Sequence, residues 1–388
     1  MLTALVACFT ISRLQPEPLV IDVSTTQELR VAMAQAQPGQ TVRIKSGTYD
    51  GGVHLKDIHG EKSRPITLSG LDPKNPPRFV GGVSGLQFSD ISHVVIENLS
   101  VTGCTGNGIN IDDGGTIDTP SHDVVLRKVT VTKLPKGNHD AIKLSGVDRF
   151  RVEDCRLEEW GGSGIDMVGC HDGVIVRCQL INGGDSGVQC KGGTSGIQIE
   201  SCRFESFGQR GVNIGGSTGL EFFRPALSKM KPDEKYEARD ITVQGCTFVK
   251  GGSPIAFVGV LGSTVSRNTF IEPGRWIVRI LQETREKGFV PSQKGVFTDN
   301  LVAFRSTNWS AGGFNVGSGT APETFSFARN FWICIDAPQS SRPQCPTPEV
   351  GGVYGEDPQF VDFEGGDFNV NVKSPAKNMG AHSFKSGH

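Results

Sequence analysis

The chain has 388 residues, of which 36% are hydrophobic and 21% charged, and a formal net charge of −2. That balance excludes a strong electrostatic pull toward nucleic acid or an anionic membrane surface. Ten cysteines without one Cys-x-x-Cys pair argue against a structural zinc site.

The first twelve residues, MLTALVACFTIS, are apolar but short and lack a basic n-region, so 1–18 is read as a leader or signal remnant. No other run approaches the apolar length that spans a bilayer. In 25–37, Leu29, Ala32, Met33 and Ala36 fall at helical spacing, with Thr26 as N-cap and Pro38-Gly39 as a stop. The expected helix should close the N-terminal end of the strand-rich region that begins at Thr41.

That region is periodic. In HDAIKLSG, SGIDMVG, SGVQCKGG and RGVNIGG, two apolar residues flank one polar residue: Ile142/Leu144 around Lys143, Ile165/Met167 around Asp166, Val188/Cys190 around Gln189, and Val212/Ile214 around Asn213. Strict alternation is a strand signature, and the first member recurs after 23, 23 and 24 residues. A second ladder runs through Cys155, Cys178, Cys202 and Cys246, then Asn268, Asn300 and Asn330, with Asn98 placed in the same slot earlier. A fixed period with short strands marks a solenoid. Ladder cysteines should be free and buried, because free Cys packs as a small hydrophobe. Cys334 and Cys345 flank a Pro-rich loop and are read either as a disulfide or as two free thiols.

These two ladders resemble those of the right-handed parallel β-helix proteins of the pectate-lyase-like superfamily, over about 20–363. The resemblance implies an all-β fold: a parallel β-helix solenoid over 19–337 with an N-terminal capping helix, and a C-terminal loop and capping segment over 338–388. The tail after the Pro-rich stretch alternates apolar and polar residues and is expected to form a terminal capping strand. The resemblance also implies a secreted or extracytoplasmic monomer whose partner is a polysaccharide, with no nucleic acid and no membrane span.

Three insertions break the period, at 114–121, 217–239 and 283–291. Loops leaving one side of a rigid stack carry specificity, although most insertions are tolerated surface excursions. The second carries Arg224.

In register, the outward members of these strands form a column: Asn110, Lys143, Asp166, Gln189, Asn213, Ala256 and Arg279. Lys191 lies two residues after Gln189, and His139 and Asp140 precede Lys143. Carboxylates, amides and cations in a row on a flat sheet suit an anionic sugar chain, with His139, Gln189, Asn213, Arg224 and Arg279 as substrate contacts. Cleavage of a uronate polymer by β-elimination needs a base for the C5 proton and positive charge on the enolate-like carboxylate.

Asp112, Asp113, Asp140 and Asp166 beside Lys143 are similar to the Ca²⁺ cluster and lysine base of calcium-dependent pectate lyases. Lys191 and Arg210 resemble, in order, the Lys and Arg of chondroitinase-B-like and alginate lyases. The expected activity is a polysaccharide lyase on an acidic glycan, with Lys143, Lys191 and Arg210 as catalytic candidates and Ca²⁺ as a candidate cofactor. A glycoside hydrolase using the carboxylates and a non-catalytic glycan-binding scaffold are the alternatives. The plainer reading of the charges is a pair of ordinary ion pairs, Lys143–Asp166 and Arg210–Asp185, worth little at a surface.

Overall fold

The structure is a computed structural model that describes residues 19–385; the leader expected at 1–18 lies outside them. One sheet of 33 strands winds through the chain, each coil pairing in parallel with the next. The expected register is the observed one: Lys143 pairs with Asn110 and Asp166, Asp166 with Gln189, Gln189 with Asn213, Asn213 with Ala256, and Ala256 with Arg279. Alternation turns Ile142, Ile165, Val188, Val212, Ile255 and Val278 inward, where each is fully buried.

The interior is stacked by residue type. Phe204, Phe248, Phe270, Phe297 and Trp332 form a continuous aromatic pile with centroids 4.5–6.0 Å apart. The Cys/Asn ladder runs beside it. The Cys178 and Cys202 amides donate to the sulfur one coil on, each at 3.4 Å. From Cys246 onward, each backbone amide donates 2.9 Å to the Asn side chain of the next coil. Glu349 ends the ladder by accepting from the Asn330 amide and side chain and from Trp332 Nε1. Each ladder residue comes directly after a bend in the left-handed conformation (Asp154, Arg177, Ser201, Gly245, Arg267, Asp299, Arg329; φ 50° to 62°).

Asn98 belongs to that bend and not to the ladder. Its φ is 54°, and it lies between the register pairs Glu97↔Arg127 and Leu99↔Val129. Asn tolerates a left-handed backbone better than most residues, and Leu99 takes the inward slot beside it.

The N-terminal helix spans Thr26–Ala34 and buries Leu29, Ala32 and Met33 on the first coils. Its N-cap is Thr25, one residue before the expected Thr26, because the Thr25 side chain accepts from the Glu28 amide at 3.1 Å. The same Glu28 reaches back to the Ser24 amide, which fixes the start as a reciprocal cap.

The tail differs from expectation. Phe360–Asp362 and Asp367–Val370 form a separate antiparallel pair. Phe360, Phe363, Phe368 and Met379 pack against the outward apolar side of Val249, Ile271, Ala303 and Ile333. The alternation in this segment therefore serves a flank of the stack and not its open end. Cys334 and Cys345 are both free.

Two outcomes test this register. Thiol reagents should label Cys155, Cys178, Cys202 and Cys246 only after denaturation; rapid labelling in the native protein would contradict it. Asn300→Ala strips a partner from the buried Asn268 amide and should lower stability in denaturant by about 2 kcal/mol or more.

Candidate active site

All three insertions leave the outward strands at the same end, after Ile109–Asp112, Arg210–Gly215 and Val278–Leu281. They pack on one another into a wall. Lys229 of the second pairs with Asp118 of the first at 2.6 Å, and the Phe223 ring meets Phe289 of the third edge-on at 5.4 Å. The buried Glu237 carboxylate accepts from the Gly192 amide (2.9 Å), from the Thr218 amide and hydroxyl (3.1 and 2.7 Å) and from Thr284. One acidic side chain thus ties the second and third insertions to the turn just past Lys191. The sequence carried no sign of Glu237's role, since it sits in an ordinary charged run.

Between this wall and the sheet lies a cleft of about 580 Å³, lined by Asp112, Asn138, Lys143, Lys191, Thr218, Phe222 and Arg224 among others. Arg224 is its back corner. Arg224 Nε donates to Asp113 at 2.5 Å, and the two side chains are only 10% and 1% exposed. The arginine lies over the left-handed glycines Gly146 and Gly169, where any side chain would run into it. This explains the glycines that end the Lys143 and Asp166 repeats.

On the floor, Lys143 and Lys191 share one carboxylate. Lys143 Nζ donates to Asp166 Oδ2 and lies 3.6 Å from Asp140. Lys191 Nζ lies 3.4 Å from Asp166 Oδ1, which accepts no aligned hydrogen bond. Burial alone would discharge Lys143, but Asp166 and Asp140 outweigh it and hold the ammonium above its usual range. Burial, reinforced by the Asp166 charge, pushes Asp140 up to about 6 against the opposing pull of Lys143 and the Ser163 amide. Both carboxylates lie beneath the lysines, at 3% and 1% exposure.

Farther along the column, Arg210 donates to Asn213 at 3.0 Å and to Glu283 at 2.6 Å. Its partner is thus the third insertion's Glu283 and not the expected Asp185. Arg279 donates to Asn315 at 3.1 Å, and the Trp276 ring lies between Arg275 and Arg279 at 4.7 and 4.9 Å. Gln189 accepts from Ser163 at 3.2 Å. Asn138, not His139, faces the cleft. Trp276 and Asn315 were missed in the sequence; Asn315 extends the column one coil beyond Arg279, and Trp276 packs against Arg279.

The four carboxylates expected to hold calcium do not gather. Among the described residues their oxygens converge on no common point. Asp112 is engaged by Gln87 and by the Gly114 amide, Asp113 by Arg224, and Asp140 and Asp166 by lysines. A calcium ion needs six to eight oxygens, so this set does not fit one.

The family described as "Right handed beta helix region" matches residues 84–229. A SPbeta prophage-derived uncharacterized protein of Bacillus subtilis (strain 168), YorA, is 29% identical over 134 residues, 33% of this chain. That match spans 21% of the relative's length. Among solved structures, a rhamnogalacturonan lyase superposes with a TM-score of 0.55 at 13% identity, over 93% of this chain and 94% of its own. A mannuronic acid specific family 6 polysaccharide lyase from human gut microbiota gives 0.55 at 13%, over 86% and 82%. An alginate lyase from Paenibacillus sp. str. FPU-7 gives 0.50 at 17%, over 78% and 99%. At such identities the likeness is one of fold. Coil register, interior ladders and these likenesses agree: the chain folds as a right-handed parallel β-helix.

Proposed function

We propose that the protein cleaves an acidic, uronate-containing polysaccharide by β-elimination without a bound metal, with Lys191 as the base and Lys143 as a fixed positive charge. The observation that carries this reading is the pair of lysines over one buried carboxylate at the floor of an open cleft. Lys143 is held by two carboxylates and stays an ammonium. It is suited to stabilising the charge that grows on the substrate's own carboxylate, a preorganised role that costs no rearrangement. Lys191 has one unaligned ion pair and lines the same cleft, so its amine is the group left to face a C5 proton. After abstraction, the C4–oxygen bond breaks as the C4–C5 double bond forms, and the proton taken up can be returned to the departing oxygen. Arg210 and Arg279, with Arg275 beside them, continue the positive column and fit the carboxylates of neighbouring sugars.

One observation speaks for hydrolysis instead. Asp140 raised to about 6 is the kind of carboxyl that can serve as a general acid. The burial of Asp140 and Asp166 beneath the lysines favours elimination, since a glycosidic carboxylate must reach the bond. Among the described residues no helix is long and apolar enough to cross a membrane; action on an extracellular glycan would place the protein outside the cytoplasm.

Incubation with pectate, alginate and glycosaminoglycans should release unsaturated uronates from at least one, seen by ultraviolet absorbance; none from any would contradict the proposal. Lys191→Ala should lower the rate by about 100-fold or more. Lys143→Arg should retain part of what Lys143→Ala loses. A chelator should leave the initial rate unchanged.

A second outcome concerns Asp140. Its folded pKa lies above the ordinary carboxylate value, so ionising it costs stability above about pH 6. That cost vanishes as the pH falls below the unfolded value. Carbon NMR should show this carboxyl titrating near 6, and Asp166→Asn should lower the midpoint; an unchanged midpoint would show that the two acids are not coupled.

A further inference from the structure

Away from the cleft, the bend that opens the second face of each coil carries an unusual set of side chains. His122 pairs with Ser92 on the coil before and Asp148 on the coil after. Asp148 is bridged in turn to His171, and His171 to Ser195. The residues one step on, His93 and Asp123, both occupy left-handed positions (φ 52° and 55°) and therefore project side by side from adjacent coils. His122 Nδ1 lies 2.7 Å from Asp123 Oδ2, and His93 Nε2 lies 3.8 Å from the same oxygen. The two imidazole rings meet edge-on at 5.3 Å. One nitrogen from each histidine and one Asp123 oxygen all fall within 4.8 Å of one another.

We propose that His93, His122 and Asp123 form a binding site for a divalent transition metal of the zinc class, stapling two coils on the outside of the stack. Two imidazoles and a carboxylate suit zinc, cobalt, nickel or copper, whereas calcium and magnesium prefer oxygen alone. A tetrahedral zinc with bonds of about 2.0–2.1 Å holds its ligand atoms roughly 3.3 Å apart. The two separations to Asp123, 2.7 and 3.8 Å, bracket that value, and the third lies within 4.8 Å, so closure draws the ligand atoms together around the ion, with His122 giving up its hydrogen bond to Asp123. Water would complete the coordination. None of the three residues lines the cleft, so the site stands independently of the proposed activity.

The metal has a competitor within the protein. Arg149, at the equivalent bend of the next coil, donates to both Asp123 oxygens, at 2.9 Å to Oδ2 and 3.3 Å to Oδ1. Its side chain is 53% exposed, so releasing Asp123 costs little. The carboxylates of Asp148 and Asp172 also attract it, which gives the guanidinium somewhere to go. Arg149 is a resident cation that a divalent ion displaces.

The test uses the full chain, freed of metal by a chelator and dialysed, then titrated calorimetrically with zinc chloride. Wild type should bind one equivalent that the His93→Ala/His122→Ala double variant does not, and zinc should raise the thermal midpoint of the wild type alone. Arg149→Ala should bind about tenfold more tightly or better, since it removes a competing charge. Circular dichroism and the metal-free melting temperature establish that each variant folds. Absence of binding by the wild type, binding that survives in the double variant, or an unchanged affinity in Arg149→Ala would each overturn the proposal.

Discussion

Coil-to-coil register is the constraint on which the rest of this molecule depends. In a parallel stack every side chain has a fixed neighbour about 4.8 Å above and below, and it cannot choose another without shifting the whole strand. Inside, this rewards uniform columns, because like packs on like at constant spacing: the phenylalanine pile, the sulfur ladder and the asparagine ladder that takes over from it. Outside, the same spacing forbids unrelieved columns of one charge. The surface therefore carries Lys143 over Asp166 over Gln189 over Asn213. The bend carries Ser92, His122, Asp148, His171 and Ser195 in the same manner. The lysine floor of the cleft and the histidine pair at the bend are both consequences of stacking a short list of polar residues at a spacing close to that of an ion pair.

The insertions turn a flat face into a cleft. A β-helix surface is regular and open, and three excursions from one edge raise a wall along it. Their mutual contacts, Lys229–Asp118, Phe223–Phe289 and the Glu237 clamp, show that they form one unit. They are more than tolerated surface excursions. Arg224 spans the distance from this wall to the sheet, pairing with Asp113 and filling the space that Gly146 and Gly169 leave open.

Much of this was legible from the residues because periodicity is a direct image of the stack. The column from Asn110 to Arg279, the inward triplets and the buried cysteines all come from counting, and the structure places them accordingly. Other features were illegible because they depend on contacts between segments far apart in sequence. Asp113 and Arg224 read separately as a metal ligand and a substrate contact, yet they lie 2.5 Å apart. Glu283, rather than Asp185, holds Arg210. Asn98 misled for a different reason: the inward slot and the left-handed bend are adjacent, and asparagine is at home in both. The alternation in the tail was real, but alternation reports only that one face is covered, not which surface covers it.

The lysine pair matters most for function, because it separates two chemistries that could share this fold. Carboxylates buried under the two lysines favour the proposed elimination, whereas carboxylates free to reach the sugar would argue for hydrolysis. The most direct measurement is mass spectrometry of the products formed from an acidic oligosaccharide in water enriched in heavy oxygen. Elimination gives an unsaturated non-reducing end, and fragments whose summed mass equals that of the substrate, with no label incorporated. Fragments that together gain one water and carry the heavy oxygen at a new reducing end would contradict it.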